Sequence, residues 1–161
     1  MSNTDLEQLT RLAKKALRTP HILHMMKLLE TEILENKEPF TWKVLPERLL
    51  GEPFPKGIQS AWIFALKPNI RIPSHYHPNS VQHTTVVKGS GKIIIEKDEK
   101  QVQILDPQKM QLIWHVITKN VPHAVATGDR IMIVFSFHTC APSELLEIET
   151  LSGHSRFYES Q

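Results

Sequence analysis

A single cysteine, Cys140, is all the thiol chemistry the chain has. No disulfide can form within it, and no zinc site can be built from four thiolates. Charge of one sign is equally scarce. Nineteen Lys and Arg face seventeen Asp and Glu, for a formal net charge of +2, and no basic run offers a footprint for nucleic acid. No apolar run approaches the length needed to cross a bilayer. The opening "MSNTDLEQLTRLAKKALR" is polar and charged where a secretory leader would be apolar. Internal repeats, low-complexity segments and helix-turn-helix patterns are absent. These absences predict a soluble, cytoplasmic protein that binds neither nucleic acid nor membrane. Its 161 residues suit one domain able to bury its own core.

What is present changes character near Phe40. Before it, Leu6, Leu9, Leu12, Ala13, Ala16 and Leu17 recur at helical spacing, with Asn3 or Thr4 placed to cap the helix. Pro20 breaks the pattern, and Ile22, Met25, Met26, Leu29, Ile33 and Leu34 line one side of a second helix. These apolar faces call for a cover, either the rest of the domain or a partner subunit, and their extent predicts a homodimer. After Phe40, "QSAWIFALKP", "VQHTTVVKG", "GKIIIEKD", "KQVQILDP", "MQLIWHVIT", "PHAVATG" and "RIMIVFSFH" read as short strands bounded by turn residues. Many short strands without interleaved helices predict an antiparallel sandwich or barrel. The organisation is therefore a helical extension over 1–40, a mostly β barrel over 41–142 and a tail over 143–161 that adds one more strand or a short helix.

Histidine is concentrated in "RIPSHYHPNSVQHTTVVKGSGKIII", residues 71–95. His75 and His77 stand two apart, so a strand aims both to one side. If that side is the barrel interior, two imidazoles, frequent ligands of zinc, iron, nickel and copper, enter one cavity. Pro73 and Pro78 stiffen the surroundings.

Followed further, the spacing resembles the cupin superfamily. Its first motif reads G-x5-H-x-H-x3,4-E-x6-G, and its second G-x5-P-x-G-x2-H-x3-N. His75, His77 and Gly89 match the first, and His123, in "ITKNVPHAVATGD", matches the second. The resemblance covers roughly residues 58–138. It implies an antiparallel jelly-roll barrel and a divalent metal ion, such as iron, zinc, nickel or manganese. The implied ligands are His75, His77, His123 and the residue at the glutamate position, here Gln82. The other departures are Thr118, Asn120 and Thr127 at the Pro, Gly and Asn positions, of which Asn120 still tolerates a left-handed turn. An amide at position 82 brings no charge, so a divalent ion would keep its full positive charge and favour an anionic substrate. Alternation turns Gln82 inward and His83 outward with Thr85 and Val87; a bulge would make His83 the fourth ligand instead.

The remaining candidates have plainer readings. Either Trp114 or His115 faces inward from "LIWHVIT". Cys140 reads as a small buried hydrophobe beside His138. His21 and His24 read as solvated helix surface, and His154 carries no signal. Trp62, Phe64, Trp114, Phe135 and Phe137 either wall a cavity or fill a core. Three functions are consistent with this pattern. One is a dioxygenase-like metalloenzyme acting on a small organic acid or thiol. Another is a metal-dependent isomerase, lyase or hydrolase, disfavoured because no general base accompanies the triad. The third is a noncatalytic sensor or small-molecule-binding protein.

Overall fold

The computed structural model describes residues 3–104 and 112–158. Two helices come first, α1 (Asn3–Ala16) and α2 (Pro20–Glu35), with Pro20 at the start of the second, where its missing N–H costs nothing. Strand β1 (Phe40–Val44) and a single helical turn, α3 (Glu47–Leu50), lead to β2 (Ser60–Leu66) and β3 (Arg71–Tyr76). The forecast strands on either side of Gly89 form one long strand, β4 (Gln82–Ile95), followed by β5 (Asp98–Ile104). Then come β6 (His115–Ile117), β7 (His123–Thr127) and β8 (Met132–His138). Of the run forecast from Met110 to Thr118, the first two residues lie outside the described residues. The tail supplies a hairpin, β9 (Leu146–Glu149) and β10 (Ser155–Phe157).

All strand pairs are antiparallel, in the order β1-β2-β8-β4-β7-β3-β9-β10, with β5 and β6 also paired to β4. β4 is long enough to serve both halves of the curled sheet. Its first half pairs with β8 and β6, and its second half with β5 and β7. The bend falls at Gly89, next to a register shift between Val86 and Lys88. Gly89 has φ +89°, and a Cβ there would lie 2.5 Å from the Ile131 carbonyl oxygen. Only glycine fits, which explains the residue physically.

Alternation along the strands divides the core in two. Ala61, Ile63 and Ala65 of β2, Val87 of β4, and Ile133, Phe135 and Phe137 of β8 face the helices. Against them pack Leu9, Leu12, Ala13 and Ala16 of α1 and Ile22, Met26, Leu29 and Ile33 of α2. Trp114 also belongs to this side, its Nε1 donating to Thr10 Oγ1 at 2.9 Å. The helices thus cover the outer face of the sheet, and Leu23, Leu28 and Leu34 are the large apolar side chains of α2 left exposed. The second cluster fills the barrel with Phe40, Trp62, Leu66, Ile72, Val86, Ile93, Met132, Val134, Cys140, Leu145 and Tyr158. Trp114, Phe135 and Phe137 are therefore core under the helices. Cys140 is a buried thiol whose pKa burial raises. No helix among the described residues is long and apolar enough to cross a membrane.

Candidate metal centre

Inside the barrel a cavity of about 80 Å³ is lined by both apolar and titratable side chains. β3 enters it through a bulge. Ile72 lies opposite Val125 and His75 opposite His123, so three residues of β3 span two of β7. Strict alternation from Ile72 would turn His75 out. The extra residue at Pro73–Ser74, where proline has no N–H to lose, turns His75 in, and His77 follows just past the strand end. His123 opens β7 after a tight turn in which Asn120, at φ +64°, donates its backbone N–H to the His77 carbonyl.

The three imidazoles meet. One ring nitrogen from each of His75, His77 and His123 lies within 4.8 Å of the others. The ring centroids of His75 and His123 are 4.3 Å apart. Each Nδ1 is engaged by a backbone carbonyl: His75 with Pro73 at 2.9 Å, His77 with Leu146 at 2.8 Å, and His123 with Val121 at 3.0 Å. A carbonyl only accepts, so each Nδ1 carries the proton and each Nε2 presents a lone pair. Burial, then the neighbouring His75, lowers the pKa of His77 to about 4 and that of His123 well below the usual imidazole value. Both rings are neutral near pH 7, the form that ligates metal.

Gln82 also lines the cavity, and its Oε1 is buried without a hydrogen-bond partner. His83 is on the opposite face of β4, buried under the helices, and both of its ring nitrogens lack a hydrogen-bond partner. His115 is buried on β6, opposite Thr84 and outside the cavity lining. His21, His24 and His154 are exposed.

Three lining residues escape the sequence reasoning. His138 lies directly across from Gln82 in the β4–β8 ladder. Its Nδ1 meets Ser80 Oγ at 3.1 Å and its Nε2 meets Ser136 Oγ at 2.9 Å, so both nitrogens are occupied. Burial holds its pKa well down. Glu147, from β9, is 9% exposed and places Oε2 3.6 Å from His75 Nε2. Tyr158 donates its hydroxyl to the same carboxylate oxygen, and Arg156 Nε stands 3.8 Å from the other. The sequence signal for His138 was alternation alone, which sets it on the face of β8 opposite Phe135 and Phe137. No signal marks Glu147 within "ELLEIET", where one carboxylate among three has no distinguishing neighbour.

No protein-family model matches the sequence, and no curated protein does. Solved structures match by shape. Salicylate 1,2-dioxygenase from Pseudaminobacter salicylatoxidans aligns with a TM-score of 0.55 at 10% identity over 72% of this chain and 33% of that one. A variant of that enzyme solved in complex with gentisate gives the same TM-score at 11% identity, over 72% of this chain and 32% of that one. DMSP lyase DddQ from Ruegeria pomeroyi aligns with a TM-score of 0.51 at 19% identity over 72% of this chain and 54% of that one. The chain spans about a third of the dioxygenase's length.

Proposed function

The chain has the cupin fold, and on that scaffold we propose a metal-dependent enzyme, dioxygenase-like, acting on a small organic acid or thiol. His75, His77 and His123 hold the ion, with Gln82 as the fourth donor. One observation carries this reading: three buried imidazoles converge while each turns its Nδ1 to a backbone carbonyl. Lone pairs facing one another in a poorly solvated cavity repel unless a cation lies among them. His123 Nε2 and Gln82 Oε1, both buried without a hydrogen-bond partner, support the same donor set. Imidazole and amide donors suit iron, zinc, nickel or manganese. Such an ion would supply dioxygen activation or Lewis-acid polarisation.

The protein's own residues restrict the substrate. Phe64, Leu66, Ile72, Val125 and Val134 wall the cavity and exclude water from whatever enters. Its volume of about 80 Å³ admits only a small molecule. No Lys or Arg is among the lining residues described, so an acid's charge is met by the ion. The complex of the dioxygenase neighbour with gentisate supports an organic acid.

A Lewis-acid isomerase or lyase is the second reading, and one observation favours it. Glu147 stands beside His75 as the carboxylate such a reaction needs for moving a proton. We place the protein in the cytoplasm as a homodimer, for which the exposed Leu23, Leu28 and Leu34 offer a surface. Light scattering at micromolar concentration tests the dimer.

The metal reading has a direct test. Protein purified without added metal should carry near-stoichiometric ion, and His75→Ala, His77→Ala or His123→Ala should each remove it without loss of circular dichroism. Stoichiometric metal in all three variants would end the reading. Oxygen uptake with a panel of small acids and thiols then separates the dioxygenase from the isomerase or lyase, and silence in every assay leaves a noncatalytic binding protein.

A further inference from the structure

We infer that Glu147, reached from the C-terminal hairpin, supplies the negative charge at the ion that Gln82 does not. The inference rests on the metal reading above. Its starting point is the contact between His75 Nε2 and Glu147 Oε2 at 3.6 Å. Because His75 Nδ1 donates to the Pro73 carbonyl, a neutral His75 turns a lone pair toward Glu147. A carboxylate oxygen turns another. Two acceptors this close are held in attraction only by a cation, either a proton or a metal.

The surroundings of Glu147 fit a charged carboxylate kept in place. The side chain is almost wholly buried, and burying a charge is costly unless it is paired and hydrogen-bonded. Tyr158 donates to Oε2 from inside the aromatic cluster, its ring edge-on to Trp42 at 5.0 Å and to Phe64 at 5.8 Å. Burial, then the adjacent Glu147, pushes the Tyr158 phenol well above its usual range, so the proton remains on the phenol oxygen. Among the described residues Arg156 is the one cation paired with the carboxylate, at 3.8 Å and partly open to solvent, while its guanidinium leans over the Phe40 ring at 5.2 Å. That is weak compensation for a buried charge. A dication among three neutral imidazoles and an amide has the opposite need. The two meet on the His75 side of the cavity.

The inference predicts that charge can be moved between strands. Zinc(II) affinity, measured by competition with a chromophoric chelator, should fall about 10- to 100-fold in Glu147→Gln, the range for lost partners of metal-ligating histidine. Gln82→Glu should restore most of that loss in the Glu147→Gln background and should tighten binding less in the wild type, where a carboxylate is already present. If Glu147 merely holds Tyr158 and the hairpin, the new carboxylate on β4 will not rescue the loss. Unaltered affinity in Glu147→Gln, a loss that Gln82→Glu leaves uncorrected, or equal gains from Gln82→Glu in both backgrounds would each overturn the inference. Thermal melts confirm folding. If Glu147→Gln does not fold, Glu147→Asp replaces it, with a smaller loss and the same rescue expected, and unchanged affinity overturning. Wild-type protein that binds no zinc would sink the metal reading itself, whereas binding that ignores Glu147 sinks only this one.

Discussion

His138 shows what a single buried imidazole costs. Both nitrogens are bound, by the hydroxyls of Ser80 and Ser136, and burial, then the neighbouring His77 and His123, keeps the ring neutral. His77 behaves alike, with a pKa lowered from 6.5 to about 4 by burial first and His75 second. In the unfolded chain these rings titrate near 6.5. Below that value the unfolded state binds protons that the folded state refuses, so stability is lost as pH falls. For His77 the loss runs from pH 6.5 down to about 4. Each such ring removes up to about 1.4 kcal/mol per pH unit. Metal-free protein should therefore melt progressively lower across this window, and a flat melting temperature would show that the rings are not buried neutral. His83→Ala serves as the control for the metal site. It removes a buried ring on the helix side of β4 and should lower stability while leaving zinc affinity unchanged. Loss of metal in that variant would put His83, not Gln82, at the site.

At the scale of elements, the two helices cover the sheet. Leu29 of α2 is fully buried against β-strand side chains. Leu29→Ala should cost about 2–5 kcal/mol in denaturant unfolding, the range for a truncated core leucine. A cost under about 1 kcal/mol would mean the helix is loosely docked. This packing was legible in part. The helical periods of Leu9, Leu12, Ile22, Leu29 and Ile33 marked the buried stripes, and strand runs bounded by turn residues marked most of the sheet. The convergence of His75, His77 and His123 was legible because two of them share a strand end and the third follows a turn that Asn120 can make. Other features depended on pairing that local pattern does not carry. The bulge at Pro73–Ser74 decides which way His75 points, yet proline in a strand signals only an irregularity. Phe135 and Phe137 could wall either side of β8 until its register with β4 was known. Glu147 reaches the site by a return of the chain some seventy residues after His75.

For the whole molecule, a bound ion acts as a folding ligand. Free zinc(II) at about 100 times its dissociation constant should stabilise the protein by about 2.7 kcal/mol. A calorimetric melt with and without the metal reads this directly, and the shift should vanish in His123→Ala. No shift in the wild type would count against a preformed site.

His75 pairs with two strands at once, facing His123 on β7 and Glu149 on β9. It is therefore a shared hinge pin between the ion's donors and the C-terminal hairpin. By thermodynamic reciprocity, whatever the ion gains from an ordered hairpin, the hairpin gains from the ion. The last strands would then act as a gauge of metal loading. In a protein short of metal, amide exchange in β9 and β10 should quicken while β2 and β8 stay protected, so that the tail reports from outside the barrel on what is held within it.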